Sequence, residues 1–263
     1  MEVFPQYTLY CYTVKYHASL LDPEVNMEVT LMERIHPTQI RKYRISCVGI
    51  YQRMDMCISM YTCRSIDSVI HGGLGRWDNA LYLSGIEIKE SVIGIAGFGR
   101  IGFATAKRLK AFEPSKIIYW DVGPLEYAKE IGAEFASFEE LLKNSDIIIV
   151  CVSLTDGTRG LFNKEAFKKM KPSVIFINTS RGAVVNQDDL YTALTTGQIL
   201  AAGLDVTTPE PLPRDNPLLS LPNCTISPHI ASVSNKTRYA MAELTARNII
   251  AGLKGEKMPA PVC

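Results

Sequence analysis

The stretch Val92-Ile93-Gly94-Ile95-Ala96-Gly97-Phe98-Gly99-Arg100-Ile101-Gly102 decides the fold of this chain. A short apolar run, long enough for one buried strand, leads directly into a glycine-rich turn. Behind the turn, residues 100–110 read as a helix with Ile101, Ala104 and Leu109 as its apolar stripe. Gly97, Gly99 and Gly102 fit G-x-G-x-x-G in the strand–turn–helix setting that gives the motif its meaning. Gly97 permits the tight turn, Gly99 lets backbone approach a pyrophosphate, and Gly102 lets helix and strand pack closely. The helix N-terminus offers unpaired N–H groups and a positive dipole end to phosphates. By itself the match does not separate such a site from a chance glycine-rich turn. A second strand over residues 116–120 ends in Asp121, 19 residues beyond Gly102. A carboxylate there can accept hydrogen bonds from an adenosine ribose. Gly97, Gly99, Arg100, Ile101, Gly102 and Asp121 are therefore read as a dinucleotide site.

The rest of the chain after residue 62 alternates in the same way. A helix is expected over residues 124–131 and a short apolar step over 133–136. Ser137 should cap a helix over 138–143, with Glu140 completing a capping box. Residues 146–152 and 173–178 are strands apolar enough to be buried on both faces. Between and after them come helices over 163–170, capped by Asn163, and over 187–195. Residues 201–205 and 224–227 complete the set, followed by a helix over 236–253. Strands alternating with helices at this spacing mean a parallel sheet with right-handed crossovers, its strands apolar throughout because helices cover both faces. The expected fold class is α/β, a doubly wound parallel sheet of Rossmann type.

Composition bounds the partners. With 263 residues, 47% of them hydrophobic, there is material for a sizeable core. A net charge of +1 gives no reason to expect nucleic acid or an anionic membrane surface, and Arg41, Lys42 and Arg44 read as a solvated patch. No run approaches the ~18–20 apolar residues of a membrane span, and the first residues lack a basic start and apolar core. Seven scattered cysteines without a C-x-x-C pair suggest reduced thiols in the cytoplasm and no metal site. Residues 1–61 stand apart: they hold seven of the twelve tyrosines, six of the nine methionines and a single glycine, Gly49. No strand–helix alternation emerges there, and His17 and His36 have no ligand-like spacing. The expected organisation is an atypical segment over 1–61, a dinucleotide-binding domain over 62–235, and a C-terminal helix and tail over 236–263.

In a doubly wound fold ligands sit beyond the carboxyl ends of the strands, so the residues that follow each strand carry the chemistry. These are Thr179-Ser180-Arg181-Gly182, then Asp205-Val206-Thr207-Thr208-Pro209-Glu210-Pro211, then Pro228-His229-Ile230. An arginine fork can hold the carboxylate of an α-keto acid. A histidine can pass a proton to the carbonyl oxygen as a hydride arrives from a nicotinamide. A nearby carboxylate can fix the imidazole tautomer and favour its charged form. Each residue taken singly has a plainer reading: a satisfied loop histidine, a surface ion pair for Arg181, a proline-stiffened loop for Glu210. Their convergence on consecutive loops of one crevice favours the chemical one.

These residues also carry a resemblance. From Val92 onward the chain resembles the D-isomer-specific 2-hydroxyacid dehydrogenases, and most of all their glyoxylate/hydroxypyruvate reductase branch. The resemblance runs through the glycine-rich stretch, Phe176-Ile177-Asn178-Thr179-Ser180-Arg181-Gly182, Val185-Asn186-Gln187-Asp188-Asp189-Leu190, Ala202-Gly203-Leu204-Asp205-Val206-Thr207-Thr208-Pro209-Glu210-Pro211-Leu212-Pro213 and Pro228-His229-Ile230-Ala231-Ser232. It implies His229 as acid/base, Glu210 as its partner, Arg181 as substrate anchor and Asp205 at the nicotinamide carboxamide. The loop Ser153-Leu154-Thr155 would line the cofactor, with Thr179 and Ser180 beside it. It also implies a small 2-keto or 2-hydroxy acid substrate and a homodimer. Asp121 favours NAD; NADP is the alternative, because reductase-branch relatives often use it.

The family builds a separate substrate lobe from its N-terminal part and its C-terminal helix. Residues 1–61 show no match to that lobe's glycine loop, so the lobe is expected to be incomplete or atypical. Dinucleotide binding should survive this, with turnover slowed. The second reading, in another class, is a non-catalytic protein that binds a dinucleotide and presents a partner-binding surface, as corepressors of the same family do.

Overall fold

A computed structural model describes residues 86–261 of the chain. The expectations for residues 1–61, and for the first part of the expected dinucleotide-binding domain over 62–85, lie outside the described residues. The strands in chain order are β1 (Val92–Ala96), β2 (Lys116–Trp120), β3 (Glu134–Phe135), β4 (Ile147–Val150), β5 (Ile175–Asn178), β6 (Ala201–Leu204) and β7 (Cys224–Ile226). They form one sheet in the order β3-β2-β1-β4-β5-β6-β7, every described pair parallel. The chain winds outward from β1 to β3, then crosses back to β4 on the other side of β1. That reversal opens a crevice beyond the carboxyl ends of β1 and β4.

Successive strand residues point to opposite faces, and both faces are apolar. Ile147 and Ile149 join Ile175 and Ile177 in the core that also holds Ile93, Ile95, Ala106 and Leu109. Ile148 and Val150 join Phe176 in the opposite core, with Phe162, Phe167, Leu190 and Leu194. Each such fully buried large side chain stabilises the fold by roughly 1.5–3 kcal/mol.

Five helices are described: α1 (Arg100–Leu109), α2 (Phe138–Asn144), α3 (Lys164–Lys168), α4 (Gln187–Thr195) and α5 (Asn235–Lys254). Their starts follow side-chain chemistry. The Ser137 hydroxyl accepts from the Glu140 N–H while the Glu140 carboxylate accepts from the Ser137 N–H, the expected capping box. Asn163 and Asn186 each accept two first-turn N–H groups of α3 and α4.

Three expectations need correction. The buried face of α1 is Gly102, Thr105, Ala106 and Leu109, whereas Ile101 is 44% exposed. The close approach at Gly102 sets the helix's rotation, and Ile101, a residue earlier, turns away from the core. Residues 124–131 form only a 3-10 turn over Glu126–Ile131: Gly132, at φ +70°, ends it after six residues. β4 stops at Val150, two residues short, where its pairing with β5 ends at Asn178. α5 follows the expected span, but only its Ala251 is buried, while Tyr239, Ile249, Ile250 and Leu253 are exposed.

Candidate active site

The glycine turn between β1 and α1 is built as its sequence requires. Gly97 has φ +88°, and a Cβ on it would stand 2.6 Å from the Val152 backbone nitrogen. A Cβ on Gly102 would overlap the Gly97 carbonyl, whereas one on Gly99 would meet only open space. α1 begins at Gly99 without a side-chain cap and without an acidic first-turn residue. No side chain of the helix therefore competes for its first N–H groups.

The turn is also held from outside. The Phe98 N–H donates to the Asp121 carboxylate at 2.6 Å, and the Phe98 carbonyl accepts from the Tyr127 hydroxyl at 2.7 Å. The buried Phe98 ring stacks on Tyr119 with centroids 4.2 Å apart. Asp121 accepts from the Val122 N–H with its other oxygen. It thus braces the glycine turn from the end of β2, a contact that spacing alone did not reveal.

Beyond β4 and β5 lies a cleft of about 320 Å³, lined by Ile101, Cys151, Val152, Ser153, Leu154, Thr179, Ser180 and Arg181. Six of the residues picked from sequence thus meet there: Ile101, Ser153, Leu154, Thr179, Ser180 and Arg181. Cys151 and Val152 were missed because the apolar run was read as strand through 152; the signal was there only in the strand's true end. Arg100 opens α1 and is exposed. The Thr179 hydroxyl is buried with no hydrogen-bond partner among the described residues, an orphan that a ligand group in the cleft would satisfy.

Arg181 is set by Asn178, which is 1% exposed. The Asn178 side chain accepts from the Ser180 N–H and hydroxyl and donates to the Arg181 carbonyl. The Arg181 guanidinium donates to the Ser180 carbonyl at 2.6 Å. Glu210 is set just as tightly: its Oε1 accepts from the Thr207 N–H at 2.9 Å, leaving Oε2 for His229. That oxygen lies 2.9 Å from His229 Nδ1. Burial pushes the Glu210 carboxyl up, but the bonds from His229 and Thr207, with the charges of His229 and Arg181, outweigh it and hold the group below the ordinary glutamate range. Glu210 and Arg181 therefore feel each other across the site.

His229 has φ +54°, left-handed backbone that costs a non-glycine residue about 1–2 kcal/mol. Asp205, picked for the cofactor, is 2% exposed and turned toward this loop. Its carboxylate accepts from the Ser227 hydroxyl and from the Ile230 and Ala231 N–H groups. Gln187 and Asn178, structural organisers of these loops, are not singled out by sequence: Gln187 pairs with the Thr208 backbone 21 residues away, and Asn178 sits inside a buried strand end whose turn onto Ser180 and Arg181 shows only in the fold.

A family profile described as D-isomer specific 2-hydroxyacid dehydrogenase, NAD binding domain, matches residues 61–231. The glyoxylate reductase/hydroxypyruvate reductase of Homo sapiens is 52% identical over 203 residues, 75% of this chain and 62% of its own length. The glyoxylate reductase of Thermofilum pendens is 46% identical over 193 residues, 72% of this chain and 57% of its own. Among solved structures, D-lactate dehydrogenase from Aquifex aeolicus, complexed with NAD and lactic acid, superposes with a TM-score of 0.71. That match covers 78% of this chain and 65% of the other, at 31% identity. The chain spans about three-fifths of the length of these curated relatives.

Proposed function

Because the chain belongs to the D-isomer-specific 2-hydroxyacid dehydrogenase family through its NAD-binding domain, we propose that it reduces glyoxylate or hydroxypyruvate with a nicotinamide dinucleotide. The observation that carries this reading is the His229–Glu210 pair at 2.9 Å, on the loops after β7 and β6 and within electrostatic reach of Arg181. A surface for partner binding alone would have no use for it.

The bound cofactor would supply the hydride. The open glycine cradle and the orphaned Thr179 hydroxyl fit such a group. Gly97, Gly99, Arg100 and Gly102 would hold its pyrophosphate, Asp121 its adenosine ribose, and Ile101, Ser153, Thr179 and Ser180 its nicotinamide half. The chain's own work is then anchoring and proton transfer. Arg181 pairs with the substrate carboxylate and orients the carbonyl. His229, its Nδ1–H donated to Glu210, presents Nε2 as the proton donor to the carbonyl oxygen. Glu210 stabilises the charged imidazole and fixes the tautomer.

NAD(H) is preferred over NADP(H), because a 2′-phosphate would meet the Asp121 carboxylate, and Val122-Gly123-Pro124 brings no arginine to offset it. The chain pairs as a homodimer through the domain it shares with its relatives; a monomeric mass by light scattering would count against this. It works in the cytoplasm, where scattered thiols stay reduced; Cys224 is a half-buried one, its thiol pushed up to about 12 by desolvation. In sequence, residues 62–235 make up the dinucleotide-binding domain, 1–61 an atypical segment, and 236–263 a C-terminal helix and tail directed to the substrate lobe.

The test is oxidation of NADH by the 263-residue chain with glyoxylate and with hydroxypyruvate, beside a direct NADH titration. Binding and turnover with either acid support the proposal. Binding without turnover, at any concentration of either acid, would leave the partner-binding reading in its place.

A further inference from the structure

We infer that Asp205 is the positioning residue of His229, acting on the reaction through the loop that carries the histidine. This rests on the reading of His229 as proton donor. The imidazole is about half exposed, so packing does not aim it; its direction is set by the backbone beneath. That backbone is left-handed at a residue with a Cβ and will relax unless it is held.

The holding comes from one residue on the neighbouring strand end. The Asp205 carbonyl accepts from the His229 N–H at 2.9 Å. Its Oδ1 accepts from the Ser227 hydroxyl and, at 2.9 Å, from the Ile230 N–H. Its Oδ2 accepts from the Ala231 N–H at 2.9 Å. His229 is thereby gripped on itself and on both sides. Asp205 also begins the segment that ends in Glu210, so the same residue ties the histidine's loop to the loop of its partner. A buried carboxylate with three donors is satisfied; an amide in its place turns an N–H₂ toward a donor it cannot accept from.

The experiment compares the intact 263-residue chain with Asp205→Asn and Ser227→Ala. It reads three quantities: the downfield Nδ1 proton resonance of His229 in ¹⁵N-histidine-labelled protein, kcat and KM for glyoxylate, and the NADH Kd. For Asp205→Asn we expect the resonance to disappear and kcat to fall about 100-fold, the cost of a small misplacement; any change in the NADH Kd reports the separate contact with the nicotinamide that the resemblance gives this residue. For Ser227→Ala, which keeps the carboxylate and removes one donor, we expect a weakened resonance and a smaller fall in kcat. A persistent resonance in Asp205→Asn would overturn the inference whatever the NADH Kd, leaving the residue's work on the cofactor alone. Should Asp205→Asn fail to fold, Ser227→Ala decides, and an unchanged resonance and kcat in it count against the inference. Should the intact chain show no turnover, the proposed reaction fails while the resonance still tests the anchoring.

Discussion

Gly182 lies so close to the Thr207 carbonyl that a Cβ built on it would overlap that group. The contact joins the turn after β5, which carries Arg181, to the turn after β6, which carries Glu210. Gln187 crosses the same seam, donating to the Thr208 carbonyl at 2.7 Å and accepting the Thr208 N–H at 2.8 Å. Because the obstacle is backbone, it cannot swing aside. Gly182→Ala should lower unfolding free energy by roughly 1–3 kcal/mol, read as a lower urea midpoint at unchanged slope. Turnover should fall further than NADH affinity does.

His229→Gln should abolish reduction of the keto acid while leaving the NADH Kd nearly unchanged, since the histidine lies outside the glycine cradle. Stopped-flow binding and steady-state turnover on the same preparation check this. A variant that keeps most of its kcat would remove His229 from the proton transfer.

Glu210 carries a pH signature. Its pair with His229 needs the carboxylate ionised, and the carboxyl is held below its ordinary value of 4.5. Activity should therefore survive acidification through the usual glutamate range and fail only below it. Glu210→Gln should remove that acid limb and lower kcat at neutral pH. A limb at the ordinary glutamate value in the intact chain would contradict the geometry.

Asp121→Asn should narrow or reverse the cofactor preference. The amide oxygen can still accept the Phe98 N–H that Asp121 receives at 2.6 Å, so the glycine turn stays braced while the negative charge is lost. NADPH binding should tighten by about tenfold, some 1.4 kcal/mol, with NADH binding little changed. Fluorescence titration with both cofactors decides. Tighter binding of NADPH than NADH in the unaltered chain would take Asp121 out of this role.

Acid stability should depend on Asp146. Its carboxylate accepts from the Val92 N–H at 2.8 Å and from Lys171 at 2.7 Å, tying the starts of β1 and β4 together. Burial pushes its carboxyl up, but the Lys171 and Val92 bonds and the Lys171 charge hold it below the ordinary 3.8. The folded chain then binds fewer protons than the unfolded one in that window, so stability rises with pH across it. This contribution is complete above the ordinary value and is lost as pH falls through the lowered one. Urea midpoints of Asp146→Asn against the intact chain should converge at the acid end and separate above it.

Much of this was legible in the order of residues. The run Val92–Ala96, the three glycines behind it and the apolar strands after them are local patterns. Each apolar strand run and each capping side chain acts on its own neighbours, so the sheet and the starts of α2, α3 and α4 could be read directly. Arg181, Glu210 and His229 could be picked because a parallel sheet sends all its strand ends to one edge. The tertiary structure decided what lies between those ends. Helix rotation at Gly102 turned Ile101 into the cleft side, and the true end of β4 exposed Cys151 and Val152 there. Above all, the grip of Asp205 on residues 227–231 and the seam of Gly182 on Thr207 are hydrogen bonds and contacts to backbone. Every residue has the same backbone, so only folding reveals which of them a side chain will find.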